Sequence, residues 1–160
     1  MKNGFNQTVH EFAGEHKFLS NFYPSSIVVI LETDGGSACR VIAPTVEHAY
    51  QAMKATNEAD FHKIAAAPTP GKAKQLGRKI FIRPDWDSIK DDTMLNLLRQ
   101  KFQYWELRKK LMDTGNVMLV EGNHWGDTYW GMCKRTGKGE NRLGLLLMHI
   151  RQEYLDALRP

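Results

Sequence analysis

Glu47, Gln51 and Lys54 stand at i, i+4 and i+7 within the run Thr45-Val-Glu-His-Ala-Tyr-Gln-Ala-Met-Lys54. On a helix that spacing places a carboxylate, an amide and an amine on one stripe, bordered by Tyr50. Groups lined up this way can hold and attack a polar substrate. Glu47 falls in the first turn, where the helix dipole favours its charged form. A charged carboxylate is what a general base, or the partner of a developing cation, requires. The same spacing also describes a solvated face with ordinary i, i+4 support. His48, beside Glu47, likewise reads either as a packed residue or as a substrate contact.

A second constellation is Glu121-Gly-Asn-His-Trp-Gly-Asp-Thr-Tyr-Trp-Gly131. Three large aromatics among three glycines cannot make a regular amphipathic element. Glycine permits close backbone approach to a ligand, and flat aromatic faces suit stacking on a nucleobase. Trp125, Tyr129, Trp130 and Gly131 are therefore candidate base-binding positions. Asp127 is placed to accept hydrogen bonds from ribose hydroxyls or to pair with Lys54. An aromatic cluster packed beneath a long loop explains the same residues without a ligand. The third run, Lys134-Arg-Thr-Gly-Lys-Gly-Glu-Asn-Arg142, joins cations and glycines to a helix start, a plausible anion site. It offers Lys138, Asn141 and Arg142 for phosphate, or is simply a basic loop; it does not match the Walker spacing. The fourth run, Phe18-Leu-Ser-Asn-Phe-Tyr-Pro24, puts Asn21 and Phe22 where they can read a base or sugar edge, or form a structured turn.

The chemistry the sequence lacks narrows the field. No Gly-x-Ser-x-Gly elbow is present, and no two of the six histidines have metal-ligand spacing. No dinucleotide-binding glycine signature follows a strand. Hydride transfer and metal hydrolysis are thereby demoted, and neither a metal nor a cofactor is expected.

These residues need elements to carry them. Residues 26–31 form a β-branched run, Asp34-Gly35-Gly36 is a turn signal, and Arg40-Val41-Ile42 resumes β character, which predicts a hairpin. Pro44 at a first-turn position and the spacing of Val46, Ala49, Tyr50 and Met53 predict a helix over 44–56. Further helices are predicted over 58–66, from the Thr69-Pro70 cap to about Gly77, and from Pro84-Asp85-Trp86 through Phe102. Another follows over 105–113, with a short strand at 117–120, loop over 121–139, and a final helix capped by Asn141. The sum is an α+β, helix-dominated fold with a small antiparallel sheet.

The chain has 160 residues, 42% apolar and 25% charged. That predicts one globular domain over 1–160 with its own core and argues against long disorder. No apolar run reaches membrane-spanning length, and Met1-Lys-Asn-Gly4 lacks the apolar stretch of a secretory leader. Cys39 and Cys133 make no Cys-x-x-Cys pair. The expected location is the cytoplasm. The net charge of +4 is scattered, consistent with mild attraction to phosphate-bearing ligands rather than with a dedicated nucleic-acid arm.

Taken together, the segments resemble the NADAR, or YbiA-like, family. The resemblance rests on Phe18-Leu-Ser-Asn-Phe22, the Thr45–Lys54 run, Ala73-Lys-Gln-Leu-Gly-Arg78, Arg83-Pro-Asp-Trp86 and Leu98-Arg-Gln-Lys-Phe102. It continues through Leu119-Val-Glu121, Asp127-Thr-Tyr-Trp-Gly131 and Gly137-Lys-Gly-Glu-Asn-Arg-Leu-Gly144, and covers about residues 12–153. It implies a YbiA-like fold and N-glycosidase activity with no cofactor. Some members hydrolyse the base–ribose bond of early riboflavin-pathway ribosylamino-pyrimidines; others remove ADP-ribose from modified guanine in nucleic acid. The family's essential glutamate matches Glu47 and its helix lysine, for which a Schiff base has been invoked, matches Lys54. Trp86, Trp125, Asp127, Trp130 and Asn141 fall at pocket positions. The implied ligand is a phosphorylated ribosyl or ADP-ribosyl compound, free or on nucleic acid. Two readings compete: a non-catalytic module binding ADP-ribose or another nucleotide, and a small nucleic-acid-binding protein, which the modest charge disfavours.

Overall fold

The computed structural model describes residues 7–160; the Met1–Gly4 opening read above lies outside them. In chain order the elements are β1 (Thr8–Val9), a 3-10 helix (Gly14–Leu19), β2 (Pro24–Glu32), β3 (Ala38–Thr45), α1 (Val46–Ala52), α2 (Glu58–Ala65), α3 (Pro70–Gly77), α4 (Trp86–Phe102), α5 (Trp105–Asp113), β4 (Met118–Leu119), β5 (Gly122–Asn123), β6 (Met132–Cys133) and α6 (Arg142–Ala157). They divide into two compact units. Asn21–Lys101 form one, and residues up to Ser20 with Phe102–Pro160 form the other.

In the Asn21–Lys101 unit, β2 and β3 form the predicted antiparallel hairpin, with Ile27 opposite Ala43 and Leu31 opposite Cys39. Ile27, Val29 and Leu31 are buried while Ile30 is exposed, the alternation of a sheet with one face on a core. The Gln100 carboxamide of α4 accepts from the Val28 N–H and donates to the Val28 carbonyl, both at 2.9 Å. One side chain thus supplies both bonds of a missing strand and ties the longest helix to the hairpin. Phe61 and Ile64 of α2, Ala73 of α3, and Met94, Leu97 and Leu98 of α4 pack into this core along with the apolar residues of α1.

Two corrections concern α1. The strand runs on through Pro44 to Thr45, so the helix begins two residues later than the proline signal predicts. Proline lacks a donor but tolerates an extended conformation outside a central strand. Thr45 is the true cap, its hydroxyl accepting from the His48 N–H at 3.1 Å. The helix also ends at Ala52 rather than near 56, and Lys54 lies in the turn beyond it. The Lys54 carbonyl is taken by the Arg83 N–H at 2.9 Å instead of continuing the helix. All seven residues of α1 are buried, because β3, α2 and α3 surround it. The solvated face that the spacing allowed is therefore absent.

The other unit adds two parallel pairs of two residues each, β1 with β4 and β5 with β6, to the one antiparallel sheet expected. Helices α5 and α6 pack together, and α6 covers β4. Buried Arg151 on α6 donates to Thr114 Oγ1 and to the Val117 carbonyl, both at 2.8 Å, fixing the turn that leads from α5 into β4. Among the described residues no helix is long and apolar enough to cross a membrane.

Candidate active site

Within the Asn21–Lys101 unit, the predicted residues Asn21, Glu47, Gln51, Lys54 and Trp86 converge with Tyr50 around the ends of α1. Glu47 sits in the first turn, only 7% exposed, with its backbone N–H bonded to the Asn21 carbonyl at 3.0 Å. Its Oε1 accepts from Gln51 Nε2 at 2.8 Å, the i, i+4 bond the spacing predicts. Gln51 is held from behind by α3. A Cβ added to Gly77 would lie 2.0 Å from Gln51 Oε1, so only glycine lets the two helices close at that point. Beyond the helix end, Lys54 Nζ lies 5.2 Å from the Tyr50 ring centre and 5.8 Å from that of Trp86. The two rings meet at 5.0 Å, tilted by 60°. The Arg83–Lys54 backbone bond and the Trp86 N–H to Arg83 carbonyl bond, 3.1 Å, set the indole against the lysine.

The electrostatics differ from the helix-dipole expectation. Burial pushes the Glu47 carboxyl above its ordinary range. The Gln51 bond and the charges of Lys74 and Lys54 pull it back only in part. Desolvation of the carboxylate thus outweighs the dipole at the first turn. Burial also lowers Lys54, opposed by Glu47 and assisted by Lys74, Arg78 and Lys90. A carboxyl raised and an amine lowered by burial are shifted toward each other, the pattern of an acid–base pair. Each group opposes the shift of the other. The rings around Lys54 also favour its ammonium form, so the lowered proton affinity is the work of desolvation and of the neighbouring cations.

Two buried acceptors here have no hydrogen-bond partner among the described residues: Asn21 Oδ1 and Gln51 Oε1. The Asn21 amide makes only a long contact to Met94 Sδ, 3.5 Å. An unsatisfied buried carbonyl is costly unless a ligand or water completes it, which suits Asn21 to a sugar hydroxyl. Phe22 is exposed. His48 is buried with both ring nitrogens engaged, Nε2 with the Ala67 carbonyl at 3.0 Å and Nδ1 with Thr45 Oγ1 at 2.8 Å. The carbonyl can only accept, so in the neutral ring Nε2 carries the proton and Nδ1 accepts from the threonine. His48 as it stands locks α1 to the segment before α3; it does not present a free nitrogen to a ligand.

The second group of predicted residues converges in the other unit. Asn123 Oδ1 accepts from the Gly126 and Asp127 N–H groups, each at 3.0 Å. Asp127 Oδ1 in turn accepts from the Tyr129 and Trp130 N–H groups, also at 3.0 Å. The carboxylate oriented toward ribose by the sequence reading thus already organises the loop through one oxygen. Tyr129 and Trp130 meet edge to face at 5.0 Å, and the Arg142 guanidinium lies 4.6 Å from the Tyr129 ring centre. Trp125 is 65% exposed. Gly131 is buried, and a Cβ there would lie 2.2 Å from the Glu121 carbonyl, so its role is close packing of the β5–β6 strands. Lys138 is exposed.

Asn141 corrects the cap expectation. It sits before α6 in the left-handed region at φ 51°, and its side chain caps nothing. Instead Oδ1 accepts from the Glu121 N–H and Nδ2 donates to the Leu119 carbonyl, both at 2.9 Å. The first amides of α6, Arg142 and Leu143, donate to the Tyr129 and Trp130 carbonyls at 3.3 and 3.0 Å. The helix start therefore anchors the aromatic loop, and those amides are not open to an anion.

Lys74, Arg78 and Lys90 are candidate functional cations that the site reading by spacing passed over. They lie on α3, at its cap and on α4, and only folding shows that all three act on Lys54.

The NADAR domain family model matches residues 6–155. N-glycosidase YbiA of Escherichia coli is 41% identical over 113 residues, 69% of this chain and 69% of that protein. An N-glycosidase of Nostoc punctiforme is 39% identical over 120 residues, 71% of this chain and 76% of that protein. A riboflavin biosynthesis protein of Vibrio vulnificus is 36% identical over 144 residues, which cover 88% of this chain but 36% of that longer protein. The NMR structure of E. coli YbiA superposes with a TM-score of 0.78 at 33% identity, covering 99% of this chain and 91% of the other.

Proposed function

The chain belongs to the NADAR family, and from that premise we propose that it is a hydrolase of N-glycosyl bonds, acting on a ribosyl-type small molecule through Glu47 and Lys54. The observation that carries the assignment is the buried Glu47 carboxyl, held by Gln51 and interacting electrostatically with an amine that lies against the Tyr50 and Trp86 rings. The names of the similar N-glycosidases support the reaction class.

Cleavage of a ribose C1′–N bond leaves the electron pair on the departing nitrogen and positive charge at C1′. Glu47, whose carboxyl burial raises above its ordinary range, gives its proton to that nitrogen. The resulting carboxylate faces the cation, then takes a proton from the water whose oxygen bonds to C1′, and the resting state returns. Asn21 Oδ1 accepts from a ribose hydroxyl during this sequence. The lowered proton affinity of Lys54 favours a second route through the same site: its amine bonds to C1′ as the C1′–N bond breaks and one amine proton passes to the departing base, the C1′–O4′ bond then opens with the second proton passing to O4′, and water hydrolyses the resulting imine to release the ribosyl product and the amine. Lys74, Arg78 and Lys90 supply the positive field for a phosphate on the substrate. Phe22, Trp125, Tyr129 and Trp130 remain proposed contacts for the base, Asp127 for ribose hydroxyls, and Lys138 and Arg142 for phosphate. The unbroken family match over both compact units supports treating the chain as one domain. Two free cysteines, Cys39 and Cys133, accord with a cytoplasmic enzyme.

Two substrates fit this chemistry: a ribosylamino-pyrimidine intermediate of riboflavin synthesis, and ADP-ribosylated guanine in nucleic acid. Incubation with each, followed by mass spectrometry of the products, tests the proposal. Release of free base and free ribosyl product from either supports it. Intact substrate in both incubations, with ADP-ribose bound on calorimetry, makes the chain a nucleotide-binding module instead.

A further inference from the structure

Away from Glu47 and Lys54, the Asn21–Lys101 unit brings three metal-ligating side chains together from two elements. Cys39 lies near the start of β3, opposite Leu31, and Glu58 and His62 lie on α2. Glu58 and His62 are i, i+4 partners, so they project from one face of the helix. Cys39 Sγ is 2.9 Å from His62 Nε2, and the sulfur, the nitrogen and a Glu58 carboxylate oxygen all lie within 4.8 Å of one another. The scaffold beneath is fixed: Phe61 and Ile64 anchor α2 in the core, and the Asn57 side chain caps it through the Asp60 N–H at 2.9 Å. Cys39 is half-buried, while Glu58 and His62 are exposed and so able to adjust.

We propose that Cys39, Glu58 and His62 form a zinc site that clips β3 to α2, with water in the fourth position. One thiolate, one imidazole and one carboxylate match the borderline-soft preference of zinc and not the all-oxygen shells of magnesium or calcium. Tetrahedral bonds of about 2.3 Å to sulfur and about 2.0 Å to nitrogen set the sulfur and nitrogen about 3.5 Å apart. The present 2.9 Å hydrogen bond must therefore open by about 0.6 Å, within reach of an exposed histidine on a rotatable side chain. On binding, the ion replaces the thiol proton, which passes to solvent. The neutral imidazole gives its Nε2 lone pair and keeps its proton on Nδ1. The site was illegible by spacing because no two histidines contribute and Cys39 is nineteen residues from Glu58.

The test uses the full chain freed of metal by a chelator, then titrated with zinc chloride or cobalt chloride. One equivalent of zinc should bind and raise the thermal midpoint by linkage to the folded state. Cobalt should give a thiolate-to-metal charge-transfer band and tetrahedral visible absorption. Cys39→Ser should abolish the charge-transfer band, and His62→Ala should weaken zinc binding by more than about tenfold, at least the cost of losing a ligand's hydrogen-bond partner. Cys133→Ser should keep both signals. Binding without a thiolate band, a band that disappears in Cys133→Ser, or affinity unchanged in Cys39→Ser would each overturn the assignment. Circular dichroism of each variant verifies that its fold is retained.

Discussion

Replacing Gly77 with alanine should cost both stability and turnover, although the change adds one methyl group to a helix end. The added Cβ would lie 2.0 Å from Gln51 Oε1, 2.9 Å from its Cδ and 3.1 Å from its Cβ. Gln51 cannot swing away cheaply, because it is 4% exposed and its amide is bonded to Glu47. Overpacking of this kind costs about 1–3 kcal/mol, against a gain of up to about 1 kcal/mol from replacing a helical glycine. The net is a loss of up to about 3 kcal/mol, toward the upper end because the 2.0 Å approach is so close. If Gln51 is displaced, Glu47 loses its amide donor, a bond worth about 1.5–3 kcal/mol to the carboxylate that forms as the proton is given up. Expressed fully in the transition state, that is about a tenfold to hundredfold fall in kcat/KM. Gly71 on the same helix provides the control: an added Cβ there meets nothing closer than Thr69 Oγ1 at 3.9 Å. Gly71→Ala should be neutral or mildly stabilising. Urea denaturation and turnover of Gly77→Ala, Gly71→Ala, Gln51→Ala and the Gln51→Ala/Gly77→Ala double variant complete the cycle. In the Gln51→Ala background only the 3.1 Å approach to the residue-51 Cβ remains, so the Gly77 change should cost clearly less. Equal costs in both backgrounds, or equal behaviour of the two glycine variants, would refute the claim that Gly77 acts through Gln51.

Other consequences follow from the same site. Burial raises the Glu47 carboxyl, so its contribution to stability is full below the ordinary carboxylate range and lost as pH rises through the raised value. Glu47→Gln should therefore be more stable than wild type at neutral pH, by about 1 kcal/mol, with the gap closing in acid; a constant gap across the pH range contradicts it. Borohydride should trap ribosyl product on wild type but not on Lys54→Ala, and absence of trapping in both leaves direct attack by water. Trp86→Phe weakens the aromatic support of the Lys54 ammonium. Reductive methylation of Lys54, followed by mass spectrometry, should then reach half its maximal rate at lower pH than in wild type; an unchanged or higher midpoint opposes that role.

Much of this arrangement was legible in the sequence because its signals are local. The hairpin follows from β-branched runs around Asp34-Gly35-Gly36, the Thr69-Pro70 cap opens α3 where predicted, and the Glu47–Gln51 bond is the i, i+4 contact the spacing implies. What failed depended on tertiary partners. Pro44 looks like a helix opener, yet strand pairing carries β3 through it and the Thr45 hydroxyl sets the helix start. The charge state of Glu47 cannot be read from a first-turn position when three elements bury that turn. Asn141 has the composition of a cap, but its carboxamide bridges Leu119 and Glu121, contacts more than nineteen residues distant that no local pattern encodes. Lys74, Arg78 and Lys90 carry no individual signature; only packing gathers them around Lys54.

Steady-state turnover of an N-ribosyl substrate by wild type and Glu47→Gln measures proton transfer by Glu47 directly. Loss of a group that both donates the proton and faces the ribosyl cation should lower kcat by at least about a hundredfold, with substrate still bound and the fold intact. A folded Glu47→Gln enzyme turning over within a few-fold of wild type would place the chemistry elsewhere.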